Sequence, residues 1–146
     1  MNDLESESAA LIRRATNQNI ARIVEIRAGV SENILSDPSK VTLDDINWFI
    51  ANPGIFVGEE NGKVAGFSAA DTRDGFIWAL FVDEQYSGRG IGRALLERAC
   101  QTLKSAGFER IRLTTDPATR AERLYRRAGW RLIGHRDGEL LFELSL

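Results

Sequence analysis

The sequence predicts one mixed α/β domain over residues 1–146, with elements in the order β-α-α-β-β-β-α-β-α-β-β. Three observations predict it. Strand-like segments flank an Asn-Gly pair at 61–62, a wholly apolar run follows at 76–82, and two later helical patterns each stop at a glycine. The chain of 146 residues is long enough to bury a real core, and 43% apolar with 27% charged residues is ordinary for a globular chain.

Each element follows from local pattern. Residues 1–9 are polar and expected to fray, and Ala10 to Ala15 (ALIRRA) reads as a short first strand. Thr16 or Asn17 can cap the helix that continues as IARIVEIRAGV, where Ile20, Ile23, Val24 and Arg27 share a face. Pro38 breaks the chain at 36–40, and Thr42 with Asp45 resembles a capping box opening the helix at 43–51. Asn52-Pro53-Gly54 ends that helix. Ile55 to Glu60 and Lys63 to Ala70 then form a hairpin about Asn61-Gly62, which suits a type I′ turn. Phe76 to Val82 (FIWALFV) reads as a strand covered on both faces. In the next helix Ile91, Leu95, Ala99 and Leu103 form one face, and Gly107 is the stop. Arg110 to Thr115 alternates as a strand, Asp116-Pro117 opens a helix closed by Gly129, and two last strands join around Asp137-Gly138.

Between the apolar strand and the long helix lies YSGRGIGR (86–93). Unpaired N–H groups at a helix start, reached without Cβ atoms in the way, make an anion site, and the macrodipole favours negative charge there. Arg89 and Arg93 add fixed positive charge, so the expected ligand group is a phosphate or pyrophosphate. Arg93 stands where a dinucleotide fingerprint wants glycine, and no Gly-Lys-Ser/Thr ending of a triphosphate loop is present. A nucleotide-binding oxidoreductase is disfavoured on that ground.

The stretch WALFVDEQYSGRGIGRALL (78–96) resembles the acyl-CoA-binding core motif of the GNAT superfamily of N-acyltransferases, and RAERLYRRAGWRLIG (120–134) resembles its terminal helix-strand motif through Ala121, Leu124, Tyr125, Gly129 and Trp130. The element order is similar to that fold over residues 10–146, which implies a central mixed, mostly antiparallel sheet of about seven strands flanked by about four helices. The resemblance implies acetyl-CoA as cosubstrate. Its pyrophosphate would lie on the amides of Ser87, Gly88, Arg89, Gly90, Ile91, Gly92 and Arg93, and its pantetheine arm along the main chain of Leu80, Phe81 and Val82. Two departures stand out. Ser87 occupies the place of a frequent Gln or Arg, and Ala118 that of a frequent Asn, for which Thr119 is a weak substitute.

Acyl transfer to an amine needs an oxyanion donor and an acid for the departing thiolate. The resemblance implies the Val82 N–H for the first and Tyr125 for the second. Arg27, Glu32, Asn33 and Trp48 are the acceptor-pocket candidates, because the first two helices of such folds border that site. No general base is evident: Asp71, Asp74, Asp83, Glu84 and Glu143 all read as loop or edge charges. No nucleophile is evident either, which implies direct attack by the amine in a ternary complex. The other reading is a non-catalytic acyl-CoA sensor.

Composition narrows the remainder. His135 is the only histidine and Cys100 the only cysteine, so no metal site or disulfide is expected. A net charge of -2 does not suggest a nucleic-acid partner, and no apolar run nears the ~18 residues of a membrane span. The start, MNDLESESAA, lacks signal-peptide features, so a cytoplasmic location is expected. The expected partner is a small-molecule or peptide amine, and exposed edge strands near the C-terminus invite a homodimer.

Overall fold

A computed structural model describes residues 11–29, 43–52 and 54–146. Glu32, Asn33, the break at Pro38 and the cap at Thr42 lie outside the described residues. Seven strands form one sheet in the order β1-β2-β3-β4-β5-β7-β6: β1 (Leu11–Arg14), β2 (Ile55–Glu60), β3 (Lys63–Asp71), β4 (Phe76–Val82), β5 (Arg110–Thr115), β6 (Arg131–Arg136) and β7 (Glu139–Ser145). Every neighbouring pair is antiparallel except β4 with β5. Among the described residues, four helices cover it: α1 (Ile20–Gly29), α2 (Leu43–Ala51), α3 (Ile91–Ser105) and α4 (Arg120–Arg127). Among the described residues, no helix is long and apolar enough to cross a membrane.

The core lies on both faces of the sheet. On one, Ile23 and Ile26 of α1 and Ile46 and Phe49 of α2 pack on Val57, Phe67, Ala69, Ala79 and Phe81. On the other, Leu96, Ala99 and Leu103 of α3 and Tyr125 of α4 pack on Ile77, Ile111, Leu113, Leu140 and Phe142. The expected stripe of α3 is buried throughout, whereas that of α1 is rolled. Ile26 is buried and Val24 is 46% exposed, because Ile23 and Ile26, three apart, lie inward while Val24 falls on the flank.

Small residues set how closely α3 approaches. A Cβ on Gly58 would come within 3.1 Å of Ile91 Cγ2, and one on Gly66 would press on Phe81 O and on Leu95 Cδ1. Beside them the buried Ser68 hydroxyl donates to Leu95 O at 3.2 Å. The N-terminal half of the helix therefore rests almost directly on β2 and β3.

Turns match their residue types. Asn61 and Gly62 have φ of 55° and 79°, and Asp137 and Gly138 have 52° and 82°, as two-residue hairpin loops need. The late helix begins later than its sequence suggests. Ala118 is left-handed, with φ 63°, and Thr119 is the N-cap, its hydroxyl accepting from Glu122 N while Glu122 accepts from Ala118 N at 2.7 Å. That arrangement buries Thr119 and occupies its hydroxyl, which also donates to Asp116 O.

An alanine in the left-handed region is strained by about 1 kcal/mol, a strain that asparagine tolerates better. Ala118→Asn is therefore expected to raise the thermal midpoint. By contrast Gly54→Ala, whose Cβ would overlap Ala70 O, is expected to cost about 2 kcal/mol or more in chemical denaturation.

Candidate functional site

The site is built on the one parallel contact of the sheet. β4 and β5 meet at Phe76 and Arg112, where Arg112 N–H donates to Gly75 O at 3.1 Å, and no further ladder pair joins them. Beyond that point β4 stays with β3 and β5 with β7, so the two strands part. A bulge in β4 accompanies the parting: Ala69 pairs with Ala79 and Ala70 with Ile77, leaving Trp78 extra, and both Trp78 and Ala79 pack on the α1–α2 side. Asp83 N–H donates to Ala65 O, so strand alternation turns the peptide groups of Val82 and Leu80 the other way, into the split.

Two cavities open from this split and share Leu80 and Phe81. The larger, about 380 Å³, is bounded by Val82, the glycine loop and one side of α4. Ser87, Gly88, Gly90, Gly92 and Arg93 line it, together with Arg120, Arg123 and Arg127. Arg89 and Ile91 do not, for the G-x-G-x-G repeat turns alternate residues away. Ile91 is 1% exposed beneath α3, and Arg89 pairs with Glu60 at 3.0 Å and lies over the Tyr86 ring. Gly88 and Gly90 have φ of 79° and 86° with open space around them, so their glycines serve the turn itself. Gly90 is the N-cap of α3 and supplies no side-chain cap, which leaves the first helical N–H groups for an anion. Arg120 Nη1 donates to Ser87 Oγ at 3.0 Å, and Ser87 Oγ–H donates to Glu84 O, so the loop is fastened to α4 from one side and to its own approach from the other.

The second cavity, about 270 Å³, is lined by Phe76 to Phe81, Thr114, Asp116, Tyr125, Arg136, Asp137 and Glu139 among others. Tyr125 reaches it from α4 while its ring sits among Trp130 and Phe142, and burial pushes the phenol pKa well above its usual range. Trp78, Asp116 and Arg136 to Glu139 were not among the sequence candidates. The last group reads only as a hairpin turn, and no residue pattern announces that the turn folds back over β4. Arg27 lies 4.9 Å from the Phe81 ring centroid. Trp48 lines neither cavity: it packs on Phe49 and under the Arg73 guanidinium, 3.8 Å from the ring centroid. Three of the loop and edge acids are engaged in ion pairs, Asp71 with Arg73, Asp83 with Arg22 and Glu143 with Arg112.

A family model described as the Acetyltransferase (GNAT) family matches residues 20–130. The chain belongs to that family. With it goes the enzyme class, an acyl-CoA-dependent acetyltransferase. A spermine/spermidine N(1)-acetyltransferase of Bacillus subtilis (strain 168) is 30% identical over 142 residues, covering 86% of this chain and 90% of that one. A mycothiol acetyltransferase of Thermobispora bispora is 33% identical over 106 residues, 61% of this chain, and the match spans only 35% of that relative. The PaiA N-acetyltransferase of Thermoplasma acidophilum, in complex with coenzyme A, has the same fold, with a TM-score of 0.73, 14% identity and coverage of 94% of this chain and 99% of that one.

Cys100, on α3, is not poised to react. Burial, with Glu97 nearby, pushes its thiol up to about 11. At pH 8 the thiolate fraction is then roughly a hundredfold below that of an ordinary thiol. Iodoacetamide labelling of the folded protein should be correspondingly slow and should speed up in denaturant.

Proposed function

We propose that the protein transfers an acetyl group from acetyl-CoA to a primary amine of a small molecule by direct attack in a ternary complex. One observation carries the reading: the split between β4 and β5 joins a cavity lined by the glycine loop and three arginines to a second one that Tyr125 lines, with Leu80 and Phe81 common to both. The donor fits the first cavity. Its pyrophosphate meets the N–H groups of Ser87 to Arg93, with Arg120, Arg123 and Arg127 supplying charge, and its pantetheine arm takes the place of the missing ladder partner along Leu80 to Val82. The B. subtilis relative, a spermine/spermidine acetyltransferase, supports a small amine as acceptor.

The chemistry follows from the groups at the junction. The neutral amine nitrogen bonds to the thioester carbonyl carbon, and the Val82 N–H, preorganised in the strand, stabilises the oxyanion. Collapse breaks the C–S bond. Tyr125 gives its phenolic proton to the departing sulfur, and the proton lost by the amine passes to solvent, from which the phenol is restored. Burial suits this role, since an acid whose pKa lies above its normal value stays protonated throughout the neutral range.

Tyr125→Phe is expected to lower kcat at least tenfold while CoA affinity, read by calorimetry, changes less than twofold. Unaltered turnover would remove Tyr125 from the reaction. Because its pKa is raised, the wild-type rate should show no falling limb from this group below about pH 10. Gly90→Ala, strained at φ 86°, should instead weaken CoA binding about tenfold with little change in kcat.

A further inference from the structure

The described arginines that make ion pairs give their guanidinium donors to carboxylates, as Arg13 does with Glu59, Arg22 with Asp83, Arg73 with Asp71 and Arg126 with Glu122. Arg27 differs. It stands in the last turn of α1, half-buried, with its guanidinium 4.9 Å from the Phe81 ring centroid, and its Nε is buried without a hydrogen-bond partner among the described residues. Burial lowers its pKa, and the charge that opposes this is Asp116, at the end of β5. Phe81 and Asp116 are the two walls of the split and both line the Tyr125 cavity. Arg27 lines neither cavity itself, but it is a partly buried cation held against Phe81, one residue away from the acceptor side, with a donor unmet. A buried donor left unpaired keeps the cost of its lost hydration, more so on a charged group, so its persistence calls for a ligand.

We propose that Arg27 receives a carboxylate of the acceptor, so that the amine acetylated by this protein belongs to an amino-acid-like molecule. The cation–π contact with Phe81 holds the guanidinium in place, and its N–H groups suit a carboxylate in bidentate geometry. The cavity on the other side of Phe81 carries Asp137, a carboxylate suited to the ammonium end of such a molecule before it loses its proton. A zwitterion therefore matches both signs of charge at the site, whereas a polyamine matches only one. This assignment rests on the acetyl-transfer reading given above.

The test uses acetyl-CoA with matched acceptor pairs that differ by one carboxylate: phenylalanine and phenethylamine, lysine and cadaverine, β-alanine and ethylamine, with spermidine alongside. The readout is the kcat/KM ratio within each pair for the wild type, Arg27→Gln and Arg27→Lys. In at least one pair the carboxylate-bearing member is expected to be preferred tenfold or more, chiefly through KM. Arg27→Gln should bring that ratio to about one, and Arg27→Lys should restore part of it. A merely structural arginine would lower both members of a pair alike. Preference for the decarboxylated amines or spermidine, or an unchanged ratio in Arg27→Gln, overturns the assignment. Should no amine turn over, the acetyl-transfer reading fails, and product binding decides the role of Arg27. N-acetylphenylalanine, Nα-acetyllysine and N-acetyl-β-alanine are titrated by calorimetry into the CoA-bound protein. Binding of any of them that Arg27→Gln weakens tenfold supports the assignment, and no binding overturns it.

Discussion

Nearly everything functional in this molecule depends on two neighbouring strands that cease to pair. Backbone N–H and C=O groups inside a sheet are obligatory hydrogen-bonding groups, and leaving a row of them open is costly. Here β4 and β5 meet once, at Phe76 and Arg112, and then each is held by its other neighbour. The six-residue register of β5 with β7 and the β3–β4 ladder fix the two walls independently, each through its other edge. A bound chain with its own amides and carbonyls can fill the gap. On the proposed reading the open edge holds the donor through its main chain, so Leu80, Phe81 and Val82 need only be apolar.

The surroundings keep the walls apart and orient what lies between them. Arg22 ties α1 to the end of β4, with Nε donating to Val64 O and Nη2 to Asp83 at 2.8 Å. Asp83 in turn accepts from Gln85 N, and this bond, together with Arg22, holds its carboxyl below the usual carboxylate range. That support is complete above the ordinary aspartate pKa and is lost only as pH falls through the lowered value. On the far side, Arg120 reaches Ser87, and Arg89 reaches Glu60 at the tip of the β2–β3 hairpin. The glycine loop is therefore guyed from several elements through its Ser87 and Arg89 side chains, although three of its residues are glycines.

Much of this was legible in the chain. The hairpin at Asn61-Gly62, the bounds of β4 and the buried stripe of α3 all follow from turn chemistry and periodicity, because local sterics decide them. The tight turn of the glycine loop, left-handed at Gly88 and Gly90, follows for the same reason. Other features depend on long-range packing that no local pattern carries. Val24 looks as apolar as Ile26, yet the roll of α1 on the sheet exposes one and buries the other. Trp48 looks like a pocket aromatic and is instead covered by Arg73 from the β3–β4 turn. Asp116, Asp137 and Glu139 look like turn and edge charges, and only the register of β5, β7 and β6 gathers them about one cavity.

The seam beneath α3 has a consequence for how such a protein can change. Gly58, Gly66 and Ser68 let Ile91 and Leu95 lie against the sheet, and the helix carries the glycine loop at its head. The height of that loop above the split is therefore set by residues on β2 and β3 that touch no ligand. One added methyl in the seam would tilt the helix as a wedge tilts a beam. Grip on the donor could then drift through substitutions eighteen or more residues upstream of the loop, with every residue of the loop itself left intact.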